Sequence, residues 1–114
     1  MTPRPPHAPT LPAGLQAYRR TPEFTRDSLP AGLLRDHHTR AGTWALIHVL
    51  QGQLWYRVPG IAWQELLTPE SAPGVIRPEE LHSVAPEGEV RFYVEFLTQP
   101  EVGAQHERPS TGLL

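Results

Sequence analysis

Residues 43–58 of this chain, TWALIHVLQGQLWYRV, decide the fold class. Two runs of alternating apolar residues flank Gln51 and Gly52, and a glycine second in a two-residue loop suits a primed turn, because glycine accepts positive φ without steric cost. The pattern predicts a β-hairpin with Leu50 opposite Gln53. One face of the hairpin would be apolar and carry Ala45, Ile47, Val49, Leu54, Tyr56 and Val58. The other would be mixed, suited to the outer side of a sheet, and carry Trp44, Leu46, His48, Gln53, Trp55 and Arg57.

Further short strands are predicted on both sides of the hairpin, each an apolar run bounded by turn residues. They cover residues 16–20, 33–35, 61–67, 75–76, 82–84 and 90–96. Helix is limited to about one turn, near residues 30–34 or 78–81, because the 14 prolines of the chain oppose longer helices. Many short strands in one domain must close or sandwich to hide their edges, so we expect an all-β fold.

Composition excludes several classes of function. A net charge of −2, with no lysine in the sequence, offers no basic patch for nucleic acid or an anionic membrane. The absence of cysteine excludes disulfides, zinc–thiolate sites and thiol redox chemistry. The sequence has no signal-peptide core and no stretch of about 20 apolar residues, so we expect a cytoplasmic protein that does not enter a membrane.

The chain is expected to hold one domain, because 114 residues leave no room for a second core. Residues 1–14 and 99–114 are polar, broken by proline and without periodicity. We expect both segments to be disordered tails, and residues 15–98 to form the β domain.

Residues 37–44, HHTRAGTW, resemble the HNTKxGxW signature of a family of small cupin-like domains. These domains occur alone or in front of TehB-type tellurite-resistance methyltransferases. The resemblance extends to LTPES at residues 67–71, to Pro78 followed by His82, and to YVEF at residues 93–96. It implies a small cupin-like barrel, that is, a jelly roll or double-stranded β-helix. Two features depart from the family: His38 replaces the usual asparagine, and these residues contain no methyl-donor-binding unit, so we expect no methyl transfer by this chain.

The resemblance also implies a metal site. Cupins hold a divalent metal with histidines and a carboxylate from two motifs, and the resemblance puts His37 near the first motif and His82 at the second. The first motif is degenerate, with Ala45 where the glutamate would stand. Adjacent residues of an extended strand point to opposite faces, so at most one of His37 and His38 should enter the barrel, and we favour His37.

We therefore predict His37 and His82 as ligands of a divalent transition metal (Zn, Fe, Ni or Mn), with His38 and Glu80 as substitutes. The alternative is a polar histidine pair that closes the barrel mouth by hydrogen bonds without a metal. His48 is assigned to the surface or an interface.

Three further residues are candidates for binding a ligand. Trp44 and Tyr56 could form an apolar wall, although aromatic residues of small β proteins also serve packing and dimer contacts. Glu95 lies inside the apolar run VRFYVEF, where a carboxylate must face water or find a partner.

These features lead to three hypotheses of function. The first is a tellurite-resistance-related protein that binds a small molecule or an oxyanion at the histidine pocket. The second is a metal-dependent cupin dioxygenase or isomerase, which requires three protein ligands. The third is a dimeric interaction module without a metal, and a homodimer is expected. The choice between an enzyme and a binding protein stays open at this stage.

Overall fold

The structure is a computed structural model that describes residues 11–35 and 37–99. It confirms the prediction of an all-β chain, because the described residues form six strands and two short 3-10 helices. The strands are β1 (Gln16–Arg20), β2 (Phe24–Thr25), β3 (Trp44–Val58), β4 (Trp63–Leu67), β5 (Gly74–Ile76) and β6 (Ser83–Thr98). The 3-10 helices are η1 (Ala31–Leu34) and η2 (Pro59–Ile61). The strand predicted at residues 33–35 is wrong, whereas the alternative of a helical turn near residues 30–34 is correct.

The predicted hairpin is also wrong. Strand β3 continues through Gln51 and Gly52, and both of its halves pair antiparallel with β6, from Trp44 opposite Leu97 to Arg57 opposite Ser83. The register shifts on both sides of Gly52, which has a φ of 82°. Gly52 therefore serves a β-bulge rather than a turn, since both need positive φ. A Cβ atom at this position would collide with the carbonyl oxygen of Glu89 on the neighbouring strand.

The apolar face predicted for residues 45–58 is confirmed despite the missing hairpin. All six of its residues are buried in one core. A bulge, like a two-residue turn, changes the phase of the inside–outside alternation, so Val49 and Leu54 point to the same face in either arrangement. We call this buried side the inner face and the opposite side the outer face.

The sheet is built around the long pair of β3 and β6. Its strand order is β1-β6-β3-β4, with β2 paired to β6 and β5 paired to β3. Within the described residues no ladder joins β1 to β4, so the sheet is open and the closed cupin barrel expected from the sequence is not shown. The pairing of β3 with β6 has register shifts, and because bulges bend a strand, the sheet can curve over its inner face while β1 and β4 stay unpaired with each other.

A hydrogen bond links the two halves of the folded sheet. The Tyr56 hydroxyl, in the second half of β3, donates to the carbonyl oxygen of Val75 at 2.8 Å, and Val75 lies on β5 beside the first half of β3. Gly74 lets β5 pass close to this position, because a Cβ there would meet side-chain atoms of Leu67 and Tyr56. The side chains of the inner face are thus covered from both halves of the sheet and form the core beside which the candidate site lies.

The predicted tails fall mostly outside the residues that the structure describes. Of residues 1–14 and 99–114, only 11–14 and Gln99 are described, so the disorder of these segments stays a prediction. No helix in the described ranges is long and apolar enough to cross a membrane.

Candidate functional site

The two histidines that the sequence singled out lie side by side. His37 and His82 form an isolated antiparallel bridge in which each backbone N–H donates to the carbonyl oxygen of the other, both at 2.9 Å. The bridge lies immediately before β6, and it brings the ring centroids to 4.2 Å at an interplanar angle of 63°. These backbone hydrogen bonds bring together two residues that are far apart in sequence, and they fix the positions of both Cα atoms.

The ring of His82 is buried and oriented. The residue is only 2% exposed, and its Nδ1 lies 2.8 Å from the carbonyl oxygen of Glu80. Because a carbonyl oxygen can only accept, Nδ1 carries the hydrogen, and the neutral ring keeps its lone pair on Nε2. His82 therefore presents a hydrogen-bond acceptor in a defined direction.

Burial keeps this ring uncharged. Desolvation lowers the pKa of His82 from 6.5 to about 4, the hydrogen bond to Glu80 opposes the shift, and the nearby His37 and His38 add to it. At neutral pH the ring is a neutral acceptor and a weak base. It cannot attract an anion by charge.

The histidine pair faces a small cavity on the inner side of the sheet. Its wall includes Leu33 from η1, Thr39, and apolar side chains of β3, β5 and β6 such as Ile47 and Phe92. The space available to the centre of a water molecule is only about 10 Å³, which is close to what one water needs. Anything larger than water must displace a wall residue.

Thr39 is a site residue that the sequence analysis missed. It is 1% exposed, and its Oγ1 donates to the carbonyl oxygen of Thr43 at 3.0 Å and accepts from the backbone N–H of Glu79 at 3.3 Å. These bonds tie the HHTRAGTW loop to the turn that carries His82. Glu79 adopts a φ of 63°, which is uncommon outside glycine, so this contact supports a costly backbone conformation. The signal available in the sequence was the position of Thr39 inside the motif.

The remaining predicted ligands are placed differently. His38 is exposed, with Nδ1 3.1 Å from the carbonyl oxygen of Thr39. The Glu80 carboxylate lies 3.4 Å from the Arg77 guanidinium, while the backbone of Glu80 holds His82. Tyr56 is inside the core with its ring centroid 6.1 Å from that of His82, and burial raises the pKa of its hydroxyl.

Trp44 and Glu95 lie on the outer face, away from the cavity. Trp44 is half-buried there, and Glu95 lies beside Leu46 across the β3–β6 pair. The structure therefore brings His37, His82 and Tyr56 together and separates Trp44 and Glu95 from them. The ligand-binding roles given to these residues stay predictions.

Comparison with known proteins gives the family. Residues 19–94 match the model of the TehB-like domain. This chain belongs to the TehB-like domain family. It is 32% identical over 74 residues to a protein of Haemophilus influenzae strain KW20 named probable S-adenosyl-L-methionine-dependent methyltransferase TehB, covering 61% of this chain and 26% of that protein. The protein of the same name from strain 10810 is 31% identical over equal shares.

Solved structures agree with the fold of this TehB-like domain. The crystal structure of TehB from H. influenzae has a TM-score of 0.69 and 26% identity, over 76% of this chain and 32% of that chain. A structural-genomics crystal structure of a protein from E. coli strain K12 has a TM-score of 0.74 and 20% identity, over 81% of this chain and 98% of that chain. The chain spans about a quarter of the length of the curated methyltransferases that it matches.

The side chains of this TehB-like domain fit a metal only in part. Within residues 11–35 and 37–99, no group of three or more histidine, cysteine or acidic side chains is placed to hold a metal ion. His37 and His82 supply two imidazoles, and the carboxylate of Glu80, the predicted substitute ligand, is directed to Arg77. A metal bound here would need further ligands from outside these side chains. The metal stays a prediction.

The outer face carries a second cluster, which the sequence analysis did not assemble. His48 Nε2 lies 2.9 Å from Glu95 Oε1, and the His48 ring stacks on Tyr93 at 4.7 Å between centroids. The guanidinium of Arg20 lies over the Tyr93 ring, 3.9 Å from its centroid. Glu95 thus finds its partner in His48, which was predicted at the surface or an interface, and both side chains are partly buried, with 24% of His48 and 30% of Glu95 exposed.

Proposed function

We propose that this TehB-like domain is a binding module of tellurite resistance that takes a small ligand at the His37–His82 pocket. The observation that carries the proposal is the buried His82 ring, neutral and held by Glu80 so that Nε2 is available as an acceptor. The link to tellurite rests on the family signature and on relatives that bear the TehB name. Binding rather than catalysis is proposed because the pocket gathers two imidazoles without a third metal-binding side chain among the described residues.

The electrostatics of the pocket favour an uncharged ligand over an oxyanion. Binding a deprotonated oxyanion to His82 would require a proton on Nε2, and each pH unit above the pKa of about 4 makes that proton cost about 1.4 kcal/mol more. A ligand with an O–H or N–H group can instead donate to the lone pair without changing the charge of the pocket. We therefore propose a neutral hydrogen-bond donor as the ligand.

The proposal is tested by tellurite tolerance in a tellurite-sensitive bacterial host that expresses the chain. His82→Asn is the decisive variant, because the asparagine amide replaces Nδ1–H and keeps the bond to Glu80, whereas the acceptor at Nε2 is lost. We expect protection from wild type to disappear in His82→Asn. The matched control is His48→Asn on the outer face, which should protect as wild type does.

Two readouts keep this test informative. Histidine labelled with ¹⁵N should show His82 of the untagged wild-type protein as the neutral form with hydrogen on Nδ1 at pH 7. Equal protection by wild type and a folded His82→Asn variant, or equal loss in the His82 and His48 variants, would contradict a role for the pocket.

A further inference from the structure

The helix η1 contributes one wall of the histidine pocket. Leu33 is the one buried residue of this short helix, with 5% of its surface exposed, and it lines the cavity together with His37 and His82. The next residue, Leu34, is 50% exposed on the other side of η1. One leucine of the pair therefore fills space inside the pocket, and the other faces solvent.

The backbone of η1 is held by short-range bonds. The Leu33 N–H donates to the carbonyl oxygen of Pro30 at 3.0 Å, and the Arg35 N–H donates to that of Gly32 at 3.4 Å. No side-chain cap holds the start of η1 at Pro30. Within η1, burial against the sheet comes from the Leu33 side chain alone. Segments with local hydrogen bonds and few buried contacts open at lower free energy than core strands.

The size of the cavity gives Leu33 a role in ligand entry. The pocket has room for about one water molecule, so a larger ligand can reach His82 only if a wall residue moves. The other walls include Ile47 and Phe92, which belong to the paired strands β3 and β6, whereas Leu33 belongs to η1. Thr39 and His37 also lie outside the strands, but hydrogen bonds hold them to neighbouring segments. Leu33 is therefore a wall residue that can leave without breaking the sheet or these bonds.

We propose that Leu33 is a plug that occupies the ligand position, and that the pocket admits small uncharged molecules with an apolar body and one hydrogen-bond donor when η1 moves outward. The proposal rests on the binding function proposed above, because His82 Nε2 is the group that would accept the donor. The apolar body takes the place of the Leu33 side chain, and the donor reaches Nε2.

The test uses the full chain with Leu33→Ala, the matched control Leu34→Ala, and two probes, phenol and benzene. Calorimetry should show phenol binding to Leu33→Ala at least about tenfold tighter than to wild type or Leu34→Ala, because the ligand no longer has to displace a buried leucine. Leu33→Ala should also bind phenol several-fold tighter than benzene, since only phenol can donate to Nε2.

The outcomes separate the plug from the binding function. Equal phenol affinity in wild type and Leu33→Ala would overturn the plug. Equal affinity of Leu33→Ala for phenol and benzene would leave Leu33 as the occupant of the space but overturn His82 as the acceptor, and with it the proposed function.

Hydrogen exchange of the wild-type protein gives a second test that does not depend on the folding of a variant. The Leu33 amide should exchange at least about a hundredfold faster than the Val94 amide of the core, which donates to Thr21 Oγ1, because η1 opens without the sheet. Exchange of both amides at the same rate would mean that η1 opens only on global unfolding, and it would overturn the plug.

Discussion

The β3–β6 pair has a histidine on each of its faces, and the two sites treat the same side chain differently. On the inner side, His82 is almost fully buried, donates from Nδ1 to a backbone carbonyl and faces an apolar cavity. On the outer side, His48 is partly exposed, and its Nε2 is engaged by the Glu95 carboxylate. The difference lies in burial and in the partner: desolvation keeps the His82 ring neutral with its hydrogen on Nδ1, whereas the Glu95 carboxylate lies against the Nε2 atom of His48.

Residue type alone does not distinguish the two histidines, because their surroundings differ. His48 lies among polar and aromatic partners, with Glu95 at its Nε2, Tyr93 stacked on its ring and Arg20 over Tyr93. His82 is held at Nδ1 by the carbonyl oxygen of Glu80, and its ring lines the cavity. The proposed binding role rests on the lone pair that this tautomer leaves on Nε2.

The largest expected difference concerns two neighbouring aromatic residues of β6. Phe92 is fully buried on the inner face, whereas Tyr93 lies half-buried on the outer face. Phe92→Ala should lower the free energy of unfolding by about 3–5 kcal/mol, because it leaves a cavity in the core. Tyr93→Ala should cost about 1 kcal/mol, since it removes stacking contacts near solvent. Urea unfolding of both variants measures the two costs, and similar values would remove the distinction between the faces.

A second expected difference is the effect of acid. The folded pKa of His82 is about 4, below the ordinary value of 6.5, so between these pH values the unfolded chain holds more protons than the folded one. The free energy of unfolding should therefore fall as the pH drops from 6.5 to 4, by about 3 kcal/mol from this residue.

Urea titrations of wild type and His82→Asn at several pH values measure this contribution as the difference between the two curves. The variant lacks the titrating ring, so its curve should be flatter over that range. His48→Asn is the control and should keep the His82 contribution. Parallel curves for wild type and His82→Asn would show that the buried ring does not titrate with a depressed pKa.

The smallest expected effect is on the outer contact between His48 and Glu95. Glu95→Gln replaces the carboxylate opposite His48 while keeping the shape of the side chain, and both partners are partly solvated. The cost should be about 0.2–1 kcal/mol, because water competes for partly exposed polar contacts. Thermal unfolding of the variant and of the wild type measures it. A loss above about 2 kcal/mol would mean that the outer cluster is as important for stability as a core contact.

Much of the fold could be predicted from the alternation of residues. The inner face of β3 and the strand character of residues 90–96 follow from the period of two, which side chains on a strand must obey. The alternation could not distinguish a hairpin from a bulged strand, because both reverse the phase at Gly52. It also split β6 into two predicted strands, since Pro86 and Gly88 are turn residues in most contexts.

The sequence predicted that His37 and His82 meet, and their role as a site stays a prediction. The family signature and its spacing brought His37 and His82 to attention, and the structure shows them in contact. The motif position marked Thr39, but its bond to Glu79 could not be predicted, because Glu79 comes from a distant turn. Trp44 lies away from the cavity because it belongs to the mixed face that the alternation predicted. Glu95 lies on the same face, beside Leu46.

The sequence by itself determined which residues are inside: apolar side chains at every second position must leave water whatever the strands pair with. Only the tertiary structure decided what those strands pair with, whether the sheet closes, and how His82 is protonated. These depend on contacts between residues far apart in the chain, such as the carbonyl of Val75 above Tyr56 and the burial of His82 beside His37. Local pattern carries no information on such contacts, because the free energy that selects them arises only when the whole core assembles.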